Sequence, residues 1–154
     1  MSFLRRCPCL WLAALLLAAT TATAAPLPPL QPWIDATPAG GVLVPPPGVY
    51  AGPVRIDKPL HVDGKGKVTI DNGGHGTILS LRASGASLKG LRLVGSGDSH
   101  DQLDAAISIE GHGNLIEGNV IEASLFGISL KQSDHNILRR NRIRSFNVDS
   151  ADRG

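Results

Sequence analysis

Two stretches of the chain repeat one frame of asparagines and aliphatic residues. "NLIEGNVI" occupies positions 114–121, and "NILRRNRI" occupies positions 136–143. The asparagines and aliphatic residues recur in register, whereas the residues between them change. The aliphatic pair at 107 and 109 recurs in the same way at 128 and 130. A repeat of roughly 20–25 residues predicts a solenoid, in which each unit stacks on the next and buries its apolar face there.

The repeat extends towards the N-terminus with one insertion. A constant offset separates the leucines at 79, 81, 88 and 93 from the isoleucines at 107, 109, 116 and 121, and it is longer than the offset between the later repeats. The extra residues fit the polar loop "GSGDSHDQLD" at 95–104. Short period-two segments between glycine and asparagine clusters predict strands at 54–56, 60–62, 68–70, 78–81, 88–93, 106–109, 115–121, 127–130 and 137–143. No segment has the helical pattern of a βαβ unit. The sequence therefore predicts an all-β parallel β-helix.

The repeated asparagines are interpreted as structural. We expect Asn114, Asn136, Asn119 and Asn141 to form ladders at the coil corners, because asparagine tolerates the left-handed conformation and can hydrogen-bond the next coil. A leucine-rich repeat is the alternative, since "LKGLRLVGS" at 88–96 fits its pattern. Asn119 and Asn141 then stand where the central leucine belongs, and there is no room for a helix on the back of each coil.

The N-terminus reads as a secretory signal peptide over residues 1–24. Arg5 and Arg6 are basic, an apolar run follows, and small residues precede a cleavage point after Ala24. A transmembrane anchor is the alternative, but the apolar run is shorter than the roughly 20 residues that a span needs. Residues 25–53 are rich in proline and glycine and predict an extended lead-in and N-terminal cap, with one helical turn and a possible strand at 41–44. Residues 54–154 are assigned to the coils of the β-helix.

The mature chain would carry neither sulfur nor net charge. Cys7, Cys9 and Met1 all lie within the signal peptide, so no disulfide and no thiolate or thioether ligand is expected. Loss of Arg5 and Arg6 lowers the count of Lys and Arg from 15 to 13, equal to the 13 acidic residues. This balance gives no support for nucleic-acid binding.

Two groups of polar residues are candidate sites. The loop at 95–104 holds Asp98, Asp101 and Asp104 around His100, a set that could bind a cation or provide paired carboxylates for sugar chemistry, but that equally fits a solvated loop. His112 and His135 occupy near-equivalent turns in successive coils and could approach one metal ion. Two exposed turn histidines without a third ligand are the simpler interpretation.

Three segments carry a family resemblance. "PGVYAGPVRIDKPLHVDGKG" (47–66), "GSGDSHDQLDAAISIEG" (95–111) and "LFGISLKQSDHNILRRNRI" (125–143) resemble the NosD family of nitrous oxide reductase maturation proteins. The resemblance runs from about Trp33 to the end of the chain. It implies a right-handed parallel β-helix in the periplasm. Family members are longer, so it also implies that the last coil here is incomplete and that the chain is an N-terminal fragment.

The resemblance implies an accessory role rather than an enzymatic one. Proteins of this family assist assembly of the copper–sulfide centre of nitrous oxide reductase, alongside an ABC-type ATPase, its membrane permease and a copper chaperone. Copper is a possible ligand on the same ground. The chain has no phosphate-binding loop of its own, so the ATPase would be a separate chain. The alternative function is a polysaccharide-active lyase or epimerase, or a carbohydrate-binding β-helix.

Overall fold

The structure, a computed structural model, describes residues 24–145. It is a parallel β-solenoid of about five turns, and the predicted fold class is confirmed. The single helix of the described residues is α1 (Gln31–Ala36). The strands are β1 (Val42–Leu43), β2 (Gly48–Ala51), β3 (Val54–Ile56), β4 (His61–Asp71), β5 (Leu79–Leu81), β6 (Ser87–Val94), β7 (Ala105–Ile109), β8 (Leu115–Glu117), β9 (Val120–Ser124), β10 (Phe126–Leu130), β11 (Ile137–Arg139) and β12 (Arg142–Ser145). The predicted signal peptide, up to Thr23, lies outside the described residues, as do residues 146–154.

The first four coils each contribute to three strand positions, and within the described residues the fifth coil contributes to the first two. The first position stacks β1, β4, β6, β8 and β11 in parallel, and the third stacks β3, β5, β7 and β10. The second position stacks β2, the end of β4, the end of β6, β9 and β12. The chain thus returns to the same sheet once per turn, which is why short strands with no helical connection suffice to build it.

Inward side chains form aliphatic columns that run the length of the solenoid. One column consists of Val54, Leu79, Ile107 and Ile128, which are register partners in successive strands. The predicted offsets between repeats are all confirmed by strand pairing. At the first and second strand positions the columns are buried through the fourth coil, whereas at the third position Ile128 is only partly buried and Leu130 is 51% exposed. In the fifth coil, Leu138 and Ile143 continue two columns but remain 37% and 48% exposed.

The predicted asparagine ladders are present, and each bonds two coils together. The amide oxygen of Asn119 accepts a hydrogen bond from the N–H of Leu91 at 3.0 Å, and its NH₂ group donates to the carbonyl of Leu88 at 3.0 Å. Asn114 makes the same pair of bonds, to Ala86 and Ala83. Asn141 and Asn136 repeat the pattern one coil later, accepting from the N–H groups of Asn119 and Asn114.

The conformational reason proposed for these asparagines is wrong. None of the four has positive φ; the left-handed residue is the one before each of them. Gly113 and Gly118 precede the fourth-coil asparagines with φ of 64° and 65°, and His135 and Arg140 occupy the equivalent positions with φ of 53° and 57°. The left-handed residue turns the corner, and this directs the asparagine that follows into the core, where its amide bonds the preceding coil.

The strand boundaries depart from the predictions at the corners. The strands predicted at 60–62 and 68–70 are the two ends of one strand, β4, whose pairing with β6 shifts between Asp63 and Val68. The single strand predicted at 115–121 divides into β8 and β9, with Gly118 and Asn119 at the corner between them. The one predicted at 137–143 divides in the same way. The corner shifts the inward alternation by one residue, since buried Ile116 is followed by buried Asn119 and Ile121, and the prediction of one continuous strand overlooked that shift.

The N-terminal segment covers the edge of the first coil. Pro29 pairs with Ala51 as a parallel bridge, and Ala51 N–H donates to the carbonyl of Pro28. At the edge of β3, the side-chain oxygen of Gln31 accepts from the N–H of Arg55 at 2.8 Å, and its NH₂ group donates to the carbonyl of Arg55 at 3.0 Å. Gln31 thus satisfies the two backbone groups that a preceding strand would satisfy.

Candidate functional site

The two histidines predicted to approach each other lie beside one carboxylate. His112 follows β7 and His135 follows β10, in the equivalent turns of successive coils. Nδ1 of His135 lies 3.0 Å from Oδ1 of Asp134, and Nδ1 of His112 contacts the same oxygen. All three side chains are largely exposed. The coil repeat therefore builds a His–Asp–His cluster on the surface.

The electrostatics of this cluster favour an ionised aspartate. The hydrogen bond from His135, together with that from His112, holds the pKa of Asp134 below its ordinary value. The N–H of Asp134 also lies 3.2 Å from Nδ1 of His112. That nitrogen donates to the carboxylate when it carries a hydrogen and accepts from the N–H when it does not, so only one of the two bonds forms at a time.

The cluster does not have the geometry of a formed metal centre. Across residues 24–145, no group of three or more His, Cys, Asp or Glu side chains is arranged to hold a metal ion. Here the Nδ1 atoms of both histidines face the carboxylate. Metal binding by His112 and His135 stays a prediction.

The acidic loop between β6 and β7 is held by its own bonds. Asp104 is buried, and its carboxylate accepts from the N–H of Ser99 at 3.1 Å, while the N–H of Asp104 donates to the Ser99 carbonyl at 3.1 Å. The ring of His100 packs edge-on against Phe126, with centroids 5.9 Å apart. Asp104 thus has a structural role, whereas Asp98 and Asp101 are exposed. Within residues 24–145 no group of three or more acidic or histidine side chains is arranged to hold a metal ion, so a cation site in this loop stays a prediction.

A row of alternating charges lies on the outer face of the first strand position. Register partners in successive coils are Asp63, Lys89, Glu117 and Arg139. Nζ of Lys89 lies 3.8 Å from Glu117, and Nε of Arg139 lies 2.9 Å from the same carboxylate. Arg82 and Glu110 form a similar pair at 3.5 Å beside the third position. The sequence analysis did not identify this charge row.

The two acids of the charge row are held ionised by basic neighbours. The hydrogen bond from Arg139 is the largest cause that lowers the pKa of Glu117, and Lys89 lowers it further. The hydrogen bond from Lys65 lowers the pKa of Asp63. A general acid needs a raised pKa, so this row has the properties of an ion-pair ladder and not those of a glycosidase acid.

A shallow cleft of about 290 Å³ lies on the same face. Two of the residues that line it, His61 and Ser87, are register partners in adjacent coils, and Nδ1 of His61 lies 2.9 Å from the hydroxyl oxygen of Ser87. Asp63 and Lys89 also line the cleft. This His–Ser pair was not predicted, because the two residues lie far apart in the chain and in unrelated local sequence.

These features define a class of protein: a parallel β-solenoid with charged outer rows and stacked surface loops. The chain is 36% identical, over 146 residues, to the probable ABC transporter binding protein NosD of Pseudomonas aeruginosa. The match covers 93% of this chain and 33% of that protein, so the chain spans about a third of the length of its curated relative. The resemblance to NosD is thereby confirmed.

Two further comparisons give no match. No protein-family model matches the chain, and no solved structure matches it. Within residues 24–145, no helix is long and apolar enough to cross a membrane.

Proposed function

We propose that this chain is a periplasmic accessory protein that works with an ABC transporter in assembling the copper–sulfide centre of nitrous oxide reductase. Its similarity to a relative named as an ABC transporter binding protein carries the proposal. The role is non-catalytic: the β-solenoid is a scaffold that presents binding surfaces to the transporter and to the reductase, with a copper chaperone as a further partner.

The outer surface of the solenoid supports a binding role. Residues that lie far apart in sequence become neighbours on one flat face, as Asp63, Lys89 and Glu117 do. Such extended surfaces are what repeat proteins use to bind partners. The lowered pKa values of Asp63 and Glu117 support charge-based recognition over acid–base catalysis.

The test of this function is a deletion of the gene that encodes the chain. We expect the strain to export nitrous oxide reductase with a deficient copper–sulfide centre, measured by copper and sulfide content and by the visible spectrum of the purified enzyme. The intact gene supplied on a plasmid should restore the centre. A fully metallated reductase from the deletion strain would refute the proposal.

Carbohydrate binding or lyase activity is a second candidate, favoured by the cleft that holds His61 and Ser87. Incubation of the purified chain with uronate polymers tests it. A lyase would generate unsaturated products that absorb in the ultraviolet, and His61→Ala would abolish them. No product from the wild-type chain would exclude the lyase.

A further inference from the structure

The shallow cleft on the first strand position runs across the first three coils and is not needed for a scaffold role. Its volume is about 290 Å³. The residues that line it come from β1, β4 and β6 and combine charged, polar and apolar side chains: Val42, His61, Val62, Asp63, Ser87 and Lys89. A concave site with a few convergent polar groups is the usual form of a small-molecule site.

Lys89 brings a positive charge with free donors to this cleft. Within residues 24–145 its ammonium group makes no hydrogen bond, because Oε2 of Glu117 lies 3.8 Å away, beyond hydrogen-bond distance. The two oxygens of Glu117 instead accept from Arg139, at 2.9 and 3.2 Å. The three N–H donors of Lys89 are therefore available to a ligand.

The acid of the cleft does not use up this charge. Asp63 pairs with the ammonium of Lys65 and also accepts from the N–H of Lys65 at 2.9 Å. The ion pairs of this face join four cationic side chains to two acidic ones: Lys65, Lys89, Arg139 and Arg140 to Asp63 and Glu117. Four positive charges against two negative ones leave a surplus of positive charge on the face, which favours an anion.

The His61–Ser87 pair provides a further donor in either tautomer of the imidazole. Ser87 is 8% exposed, and its hydroxyl oxygen lies 2.9 Å from Nδ1 of His61. If the hydroxyl donates to Nδ1, the N–H at Nε2 of His61 stays free. If Nδ1 donates instead, the O–H of Ser87 stays free. Ser87 and Lys89 are two residues apart on β6, so both side chains lie on the same side of the sheet.

The cleft also has an apolar side. Val42, the register partner of His61 in β1, is 68% exposed and lines the cleft. A ligand that places an anionic group beside Lys89 and Ser87 would therefore meet an aliphatic surface one coil away. This arrangement suits a molecule with a charged end and a hydrocarbon end.

We propose that this cleft binds a small organic anion, a carboxylate or a phosphate ester. Its anionic oxygens contact Lys89 and the free donor of the His61–Ser87 pair, and its hydrocarbon part packs on Val42. This inference goes beyond the proposed function, in which the chain is a scaffold for proteins, and it involves no bond cleavage.

The test titrates the purified chain with inorganic phosphate, acetate and butyrate and follows the backbone amide signals by heteronuclear NMR. We expect saturable shifts at His61, Ser87 and Lys89 with dissociation constants of about 1 mM. Butyrate should bind roughly threefold to tenfold more tightly than acetate, because it buries additional methylene groups, and Val42→Ser should remove this preference. Tighter binding of phosphate than of either carboxylate would assign a phosphate ester as the ligand, and the reverse order would assign a carboxylate.

Two lysine variants show whether the cleft or the overall charge binds the anion. Lys89→Gln should weaken binding by about tenfold, because a charge-assisted hydrogen bond is lost. Lys131→Gln is the matched control: it removes the same charge after β10, outside the cleft, and should change the affinity less than about twofold. Both variants should keep the wild-type midpoint of urea unfolding, since exposed charges contribute little to stability.

Three results would overturn the inference. The first is the absence of saturable shifts at the cleft with all three anions. The second is an equal loss of affinity in Lys89→Gln and Lys131→Gln, because net charge alone would then account for binding. The third is an unchanged preference for butyrate in Val42→Ser, which would remove the apolar part of the site.

Discussion

Removal of one asparagine should unpair two coils locally. Asn119 is fully buried and bonds the N–H of Leu91 and the carbonyl of Leu88. Asn119→Ala leaves both groups buried without a partner, and each such group costs about 1–3 kcal/mol. We therefore expect the free energy of unfolding to fall by roughly 2–6 kcal/mol, a large part of the stability of a small domain. Urea unfolding followed by far-ultraviolet circular dichroism measures the change.

Hydrogen exchange locates the effect of this substitution. The amide of Leu91 should lose protection in Asn119→Ala, because its acceptor is gone, while the amide of Ile107 in the third strand position should stay protected longer. Gln102→Ala, in the exposed loop, is the control and should change stability by less than about 0.5 kcal/mol. If Asn119→Ala matched that control in both measurements, the ladder would not be what holds these coils together.

Three further outcomes are expected. Because Arg139 lowers the pKa of Glu117, the stabilisation from this carboxylate is present above its ordinary pKa of 4.5 and is lost as the pH falls through the lower pKa of the folded state. In thermal unfolding, Glu117→Gln should therefore destabilise the chain at pH 7 but have little effect at about pH 2, and equal losses at both pH values would contradict this. In urea titrations, Gly111→Ala should lower the free energy of unfolding far more than Gly113→Ala does. A Cβ at Gly111 would overlap the backbone oxygen of Ala83, whereas a Cβ at Gly113 meets nothing within 4 Å. Similar losses of stability in the two variants would refute the packing argument. If His112 and His135 bind one copper ion, His112→Ala should lower the copper affinity in a titration at neutral pH, because one of the two imidazole ligands is lost; an unchanged isotherm would contradict the predicted metal site.

The fold was predictable where the repeat is regular. From Leu79 onward, constant offsets align the inward columns, and the pairing of the strands follows them. The offset fails in the second coil, because residues 64–67 shift the register within β4. His61 pairs with Ser87, whereas Ile70, at the other end of the same strand, pairs with Leu93 at a shorter separation. No single offset aligns this coil, so its two strand ends were predicted as separate strands.

The candidate site was predictable only in part, because the repeat is regular in some coils and irregular in others. The approach of His112 and His135 follows from a regular repeat, and the structure places both beside Asp134. The charge row begins at Asp63, in the irregular coil, so its alternation was hidden. The role of Asp104 could not be read from composition, because its burial depends on how the 95–104 loop folds back onto Ser99.

The pairing of Gln31 with the edge of β3 makes the two ends of the solenoid different. The side chain of Gln31 accepts from the N–H of Arg55 and donates to its carbonyl, the two groups that would otherwise bond another strand, and the carbonyl of Pro28 accepts from the N–H of Ala51. The edges of β2 and β3 are therefore closed to lateral growth, while each later coil presents a template for the next. During synthesis, which proceeds from the N-terminus, the sealed end is made before the remaining coils, so the order of synthesis and the order of stacking agree.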